Sequence, residues 1–134
     1  MIKMNRKMEY ALMALRHMSQ KSTTQLTSAK EIADHMHIPF DVIARVLQVL
    51  SSKGLLKAEY GASGGYSLAR PLSEVSVHDL SEMLEGHVSL TKCLSSDEPC
   101  DISSACNITN PILTLNKKVQ EFYRSVPLSE VLHV

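Results

Sequence analysis

Between Ser28 and Ala69 the chain sets two short helical patterns on either side of a tight turn. Two alternating segments around a glycine-rich tip follow at once, an order that few folds accommodate. Ser28-Ala29-Lys30-Glu31 reads as a capping box, with Ser28 as the N-cap and Glu31 reaching back to it. The helix it opens carries Ile32, Ala33 and Met36 and stops near His37. Ile38-Pro39 then turns the chain into a second helix whose apolar face is Ile43, Val46, Leu47 and Leu50, ended by Gly54. Two short helices about a tight turn are the skeleton of a helix-turn-helix. Leu55–Tyr60 and Tyr66–Ala69 alternate as strands do, and Gly61-Ala62-Ser63-Gly64-Gly65 joins them, so a β-hairpin is expected. A hairpin placed directly after a helix-turn-helix is a wing.

The flanking segments complete a mainly α expectation. A helix from Asn5 to Gln20 buries Met8, Leu12, Leu15 and Met18. A fourth helix opens on Ser76 and Asp79 and buries Val77, Leu80, Met83 and Leu84. A long last helix starts at Asn110-Pro111, an N-cap followed by proline at the first helical position. Along it Ile112, Leu115, Val119, Phe122 and Val126 repeat at alternating spacings of three and four, a seam about two heptads long. Packing onto the same domain would explain the seam, but little core is left to receive it, so pairing with a second copy is favoured. Pro127 ends the helix and residues 128–134 read as a short tail. The expected organisation is a winged helix-turn-helix over residues 1–86, a cysteine-bearing loop over 87–107, and a dimerisation helix with its tail over 108–134.

A formal net charge of zero argues against a polyanion partner until its distribution is considered. Residues 1–72 hold ten Lys and Arg against five Asp and Glu; residues 73–134 hold four against nine. The basic half is the one with the helix-turn-helix, and the expected partner is double-stranded DNA. The second helix of the motif would enter the major groove and present Asp41, Arg45 and Gln48, with Arg45 matching the two acceptors of guanine. Ser28 and Lys30, at the start of the preceding helix, would meet phosphate. Tyr60 or Ser63 would touch the sugar–phosphate backbone. Gly64 and Gly65 would let the wing approach the minor groove, unless they serve only the turn.

All three cysteines fall in one polar loop: Cys93, Cys100 and Cys106, spaced C-x6-C-x5-C among Ser95, Ser96, Asp97, Glu98 and Pro99. An odd number argues against a disulfide framework. Soft thiolates select zinc or iron–sulfur. The gaps are wider than a zinc knuckle uses and suit a cluster, 2Fe–2S or 4Fe–4S. The following helix N-terminus would favour a thiolate at Cys106. No phosphate loop, hydrolase motif or nucleophile–base pair is present, so an enzyme is not expected; Gly61–Gly65 lacks the Lys-Ser/Thr of a phosphate loop. The six histidines are dispersed and read as surface residues. No apolar run is long enough to span a membrane. Lys3, Arg6, Lys7, Glu9 and Arg16 interrupt the first twenty residues, so a secretory leader is not expected and the cytoplasm is.

Taken in order, these parts resemble the Rrf-type family of bacterial winged-helix regulators, iron–sulfur sensors of the IscR and NsrR kind. The resemblance rests on Tyr10-Ala11-Leu12, Glu31-Ile32-Ala33 and Gly54-Leu55-Leu56, and above all on Gly61 through Pro71. Asp79-Leu80, Glu85-Gly86, the cysteines and Leu128-Ser129-Glu130-Val131-Leu132 complete it. It implies a homodimeric repressor on a palindromic operator, sensing nitric oxide, redox state or iron–sulfur supply. It also implies Cys93, Cys100 and Cys106 as cluster ligands, and a fourth ligand that varies among relatives. A histidine used by some, three residues beyond the last cysteine, is Thr109 here. The acidic residue used by others, on helix one of the second subunit just before the aromatic-Ala-Leu, is Glu9 here. Where relatives carry a wing arginine this chain has Tyr60, and where some carry a recognition-helix glutamate it has Ala44, so no operator sequence transfers. A cluster-free thiol- or zinc-dependent regulator of the same fold is the alternative.

Overall fold

The computed structural model describes residues 4–22, 24–86, 89–91, 94 and 100–134. Each of the first helices begins where a side chain can take a backbone N–H that the helix itself leaves unpaired. Asn5 caps α1 (Arg6–Ser19), its Oδ1 accepting from Met8 N at 2.9 Å. Ser28 caps α2 (Ala29–Met36), its Oγ accepting from Glu31 N at 3.1 Å. α3 (Phe40–Ser52) differs: Pro39 fixes its start and supplies no side-chain cap. His37, in the left-handed region with φ 56°, ends α2 and redirects the chain into α3. The wing is β1 (Leu56–Glu59) paired antiparallel with β2 (Gly65–Leu68), Leu56 facing Leu68 and Glu59 facing Gly65. After a 3-10 turn at Leu72–Glu74 comes α4 (Val77–Glu85), opened by a full Ser76–Asp79 capping box. α5 (Thr109–Ser125) and α6 (Leu128–Leu132) close the chain.

α3 is the centre of the packing. Its Ile43, Val46, Leu47 and Leu50 are buried against α1, α2, β1 and α4. Leu15, Ile32, Leu55, Val75 and Leu80 complete the same core. Each such side chain contributes about 1.5–3 kcal/mol on burial. The wing is tied to the helix-turn-helix by two hydrogen bonds between Thr27 and Tyr66, Thr27 N donating at 2.9 Å and Tyr66 N at 2.8 Å.

Four local expectations are corrected by the structure. Residues 128–134 are no loose tail: Leu128 and Leu132 of α6 are core residues, and Leu128 N donates to Val75 O at 2.8 Å. Val77 N donates to Val126 O at 2.9 Å, so this segment straps the start of α4. The long helix begins at Thr109, one residue before the expected N-cap, which puts Pro111 at its third position and leaves Val126 just outside. Glu31 does not reach back to cap α2. Its carboxylate turns to His17 Nε2 at 2.6 Å and Lys21 Nζ at 2.5 Å, a better electrostatic environment. His78 is buried rather than a surface residue, 3.6 Å from Glu82, and the His17 ring lies 5.3 Å from that of His35.

Candidate DNA interface and cysteine loop

Burying one stripe of α3 leaves the opposite side outward. Asp41, Arg45 and Gln48 are all exposed there, with Ala44 half-buried between them. Phe40, which the sequence reading passed over, is 57% exposed at the first position of the helix. Ile43 N, in the first turn, donates to Pro39 O at 3.2 Å. Among the described residues the three preceding N–H groups have no acceptor, so this helix end offers donors and the positive end of its dipole outward. Lys30 is exposed on α2. Ser28 is half-buried and its oxygen is already engaged with Glu31 N, leaving only its O–H to donate to a phosphate.

On the wing, Tyr60 is 96% exposed and Ser63 is exposed. Gly64 and Gly65 have an internal reason to be glycine. A Cβ on Gly64 would collide with the Glu59 carbonyl, and one on Gly65 would sit 2.9 Å from Thr27 O. Gly61, at φ 115° with open space beyond it, is the tip glycine whose backbone conformation a side chain would strain. A groove of about 420 Å³ runs between α1, α3 and α4, bordered by Lys7, Asp41, Arg45, Val49 and Leu84. The first turn of α1 and the outward side of α3 thus share one groove.

Glu9 lies on that first turn, ion-paired with Arg6 at 2.9 Å. In the loop before α5, Cys100 is exposed and Cys106 half-buried. Two turns fold the segment between them, with Ser103 N donating to Cys100 O and Ala105 N to Ile102 O, both at 3.0 Å. Cys93 lies outside the described residues. Ile108, the N-cap of α5, gives no side-chain cap. Thr109 Oγ1 donates to Cys106 Sγ at 3.4 Å. That bond first, then the N–H groups of Ile108 and Thr109, hold the thiol below its usual pKa against a small opposing effect of burial. The position where some relatives carry a histidine ligand therefore holds a hydroxyl that serves the neighbouring sulfur. Among the described residues no three His, Cys, Asp or Glu side chains come close enough together to hold a metal, and Glu9 is not gathered with Cys100 and Cys106 within one chain. The donor chemistry of the loop, soft sulfur with one thiol already biased towards thiolate, fits an iron–sulfur group.

α5 buries only Asn116, whose Oδ1 accepts from Leu90 N at 2.9 Å. Its apolar Leu115 and Phe122 are 51% and 63% exposed in the single chain. No helix among the described residues is long and apolar enough to cross a membrane.

Solved proteins share this arrangement. CymR (YrzC), the global cysteine regulator of B. subtilis, superposes with a TM-score of 0.74 at 25% identity over 99% of this chain and 98% of its own. T. potens IscR does so with a TM-score of 0.69 at 25% identity over 98% and 87%. In sequence, a protein of Aquifex aeolicus assigned as an HTH-type transcriptional regulator is 24% identical over 127 residues, 93% of this chain and 88% of that one. The model of the Rrf2 family, described as iron-dependent transcriptional regulators, matches residues 4–134, from the cap of α1 to the end of the strap beyond α6. The match takes in α3, the wing, the cysteine loop and the closing strap: the chain belongs to the Rrf2 family, whose members are transcription regulators and not enzymes, and is itself a DNA-binding transcription regulator.

Proposed function

We propose that this regulator is a cytoplasmic homodimeric repressor of a palindromic operator, and that its DNA affinity is set by an iron–sulfur cluster held on Cys93, Cys100 and Cys106. The fourth ligand in this reading is Glu9 of the partner subunit. The observation that carries it is the cysteine loop itself. An exposed and a half-buried thiol stand six residues apart, the second kept below its usual pKa by Thr109 and by backbone N–H groups at the start of α5. The family's description as iron-dependent supports the same reading. A cluster held by these residues would supply iron able to react with small oxidants or nitric oxide.

The chain's own residues supply the coupling. Glu9 must leave Arg6 to serve as a ligand, and Arg6 sits beside Lys7, which shares a groove with Asp41 and Arg45. A pull on the first turn of α1 therefore reaches the outward side of α3, giving the two sites one shared element. The exposed Leu115 and Phe122 of α5 supply an apolar seam for a second copy, which sets two reading helices about 34 Å apart, one turn of DNA.

A cluster-free thiol regulator is the second reading, favoured by the likeness to the cysteine regulator CymR. Visible absorption, with iron, sulfide and zinc contents, of the anaerobically purified chain separates them. Iron and sulfide with a chromophore lost in Cys100→Ser and Cys106→Ser is the expected result. Zinc without sulfide, or metal-free protein, overturns the cluster.

A further inference from the structure

The outward side of α3 divides into two edges of different chemistry. Residues four apart on a helix are surface neighbours, which pairs Phe40 with Ala44 on one edge and Asp41 with Arg45 on the other. The second edge is charged and exposed. The first opens apolar, its large member 57% exposed, and continues to the exposed Gln48 one turn further on. Phe40 is more than half exposed and is not one of the buried core residues, and among the described residues its ring meets no other ring. It is also the first residue of a helix that starts without a side-chain cap, where the chain turns sharply from His37 through Pro39. A helix laid in the major groove brings its N-terminal residues to the base edges. Of the four bases only thymine presents an apolar group there, its C5-methyl; the others present hydrogen-bonding atoms.

We infer that Phe40, backed by Ala44, reads the methyl group of a thymine in each half-site, beside the base pair contacted by Arg45. This rests on α3 being the reading helix. The polar edge then reports on hydrogen-bonding atoms and the apolar edge on a methyl, so a guanine and a neighbouring thymine are recognised by different physics from one helical turn.

The test begins by selecting preferred duplexes from a random library with the full chain. Each thymine of the selected site is then replaced, one at a time, by deoxyuridine, which pairs identically but lacks the methyl. Affinities are measured by fluorescence anisotropy at fixed salt for the parent, Phe40→Ala and Phe40→Leu. For the parent, one thymine per half-site should show an affinity loss of about fourfold on replacement, the scale of one buried methyl. That loss should vanish in Phe40→Ala and persist in part in Phe40→Leu. A parent indifferent to deoxyuridine everywhere overturns the inference, as does Phe40→Ala with the same thymine-to-deoxyuridine ratio as the parent. Equal weakening of both duplexes by Phe40→Ala places the ring on the sugar or elsewhere and also overturns it. If the parent enriches no sequence, α3 is not a reading helix, a failure distinct from all of these because no thymine preference exists to compare.

Discussion

Replacing Leu128 by alanine tests whether the C-terminal strap is part of the folding unit. Leu128 is fully buried in the same core as Leu15, Leu47 and Leu80, although about fifty residues separate it from the last of these. Its N–H bond to Val75 O, at 2.8 Å, involves only backbone and survives the substitution. The change therefore isolates the side chain: lost transfer energy plus the cavity left between the 3-10 turn, α4 and α6. Buried Leu→Ala changes cost about 2–5 kcal/mol. Against a total stability on the order of 5–15 kcal/mol that is a large fraction. Urea unfolding followed by circular dichroism, at one fixed protein concentration to hold any association constant, should show the midpoint falling by about 1 M or more with an unchanged slope. A loss below about 0.5 kcal/mol would mean that α6 is not docked and that residues 128–134 are an appendage after all.

Glu31 gives a pH dependence. Burial raises its pKa, but hydrogen bonds from Lys21 and His17 and the charges of both outweigh this and leave it lowered. A lowered carboxylate stabilises the fold above its unfolded pKa, and that contribution is lost as pH falls through the folded one. Acid titration of stability should therefore be flatter in Glu31→Gln, by less than about 1 kcal/mol because the side chain is 39% exposed and screened by solvent; a parallel curve would refute the bridge. Arg45→Ala should weaken specific DNA binding by about 1–3 kcal/mol and relax the preference at one base pair, as measured by competition between selected and altered duplexes. Unchanged preference would remove Arg45 as a reader. Val119→Glu, on the half-buried side of α5, should give monomers by analytical ultracentrifugation with weak DNA binding; a persistent dimer would move the interface elsewhere.

The parts legible in the sequence were those decided by neighbours a few residues away. Ser28 and Ser76 cap as read, because a hydroxyl and an N–H three residues on need nothing else. The wing was readable from Gly61 to Gly65, since a tight hairpin admits few residues at its tip. What the sequence hid was settled at long range. The destination of the Glu31 carboxylate depends on His17, fourteen residues earlier on another helix. The burial of His78, Leu128 and Leu132 depends on how the chain's end returns to the start of α4. Phe40 sits three residues before Ile43, at helical spacing, yet its ring is exposed, which spacing alone does not reveal. For the cysteine loop, the helix start after Cys106 led to the expectation of a thiol held below its usual pKa, and the Cys106 thiol is so held. The hydroxyl of Thr109 on the sulfur required coordinates, because relatives lead one to expect a ligand at that position rather than a donor to the cysteine.

The most direct measurement is the affinity of the full chain for its selected duplex, before and after removal of the iron under otherwise identical conditions. Parent protein as purified without oxygen, the same protein after chelation, and Cys106→Ser should be compared by anisotropy. If the cysteine loop sets the pose of the reading helices, Kd should change about 5- to 150-fold when the visible absorption is lost, the usual range of coupling between two sites. Cys106→Ser should stay at the iron-free value throughout. A Kd that is the same in all three preparations, with iron demonstrably bound in the first, would contradict control of DNA binding by this loop.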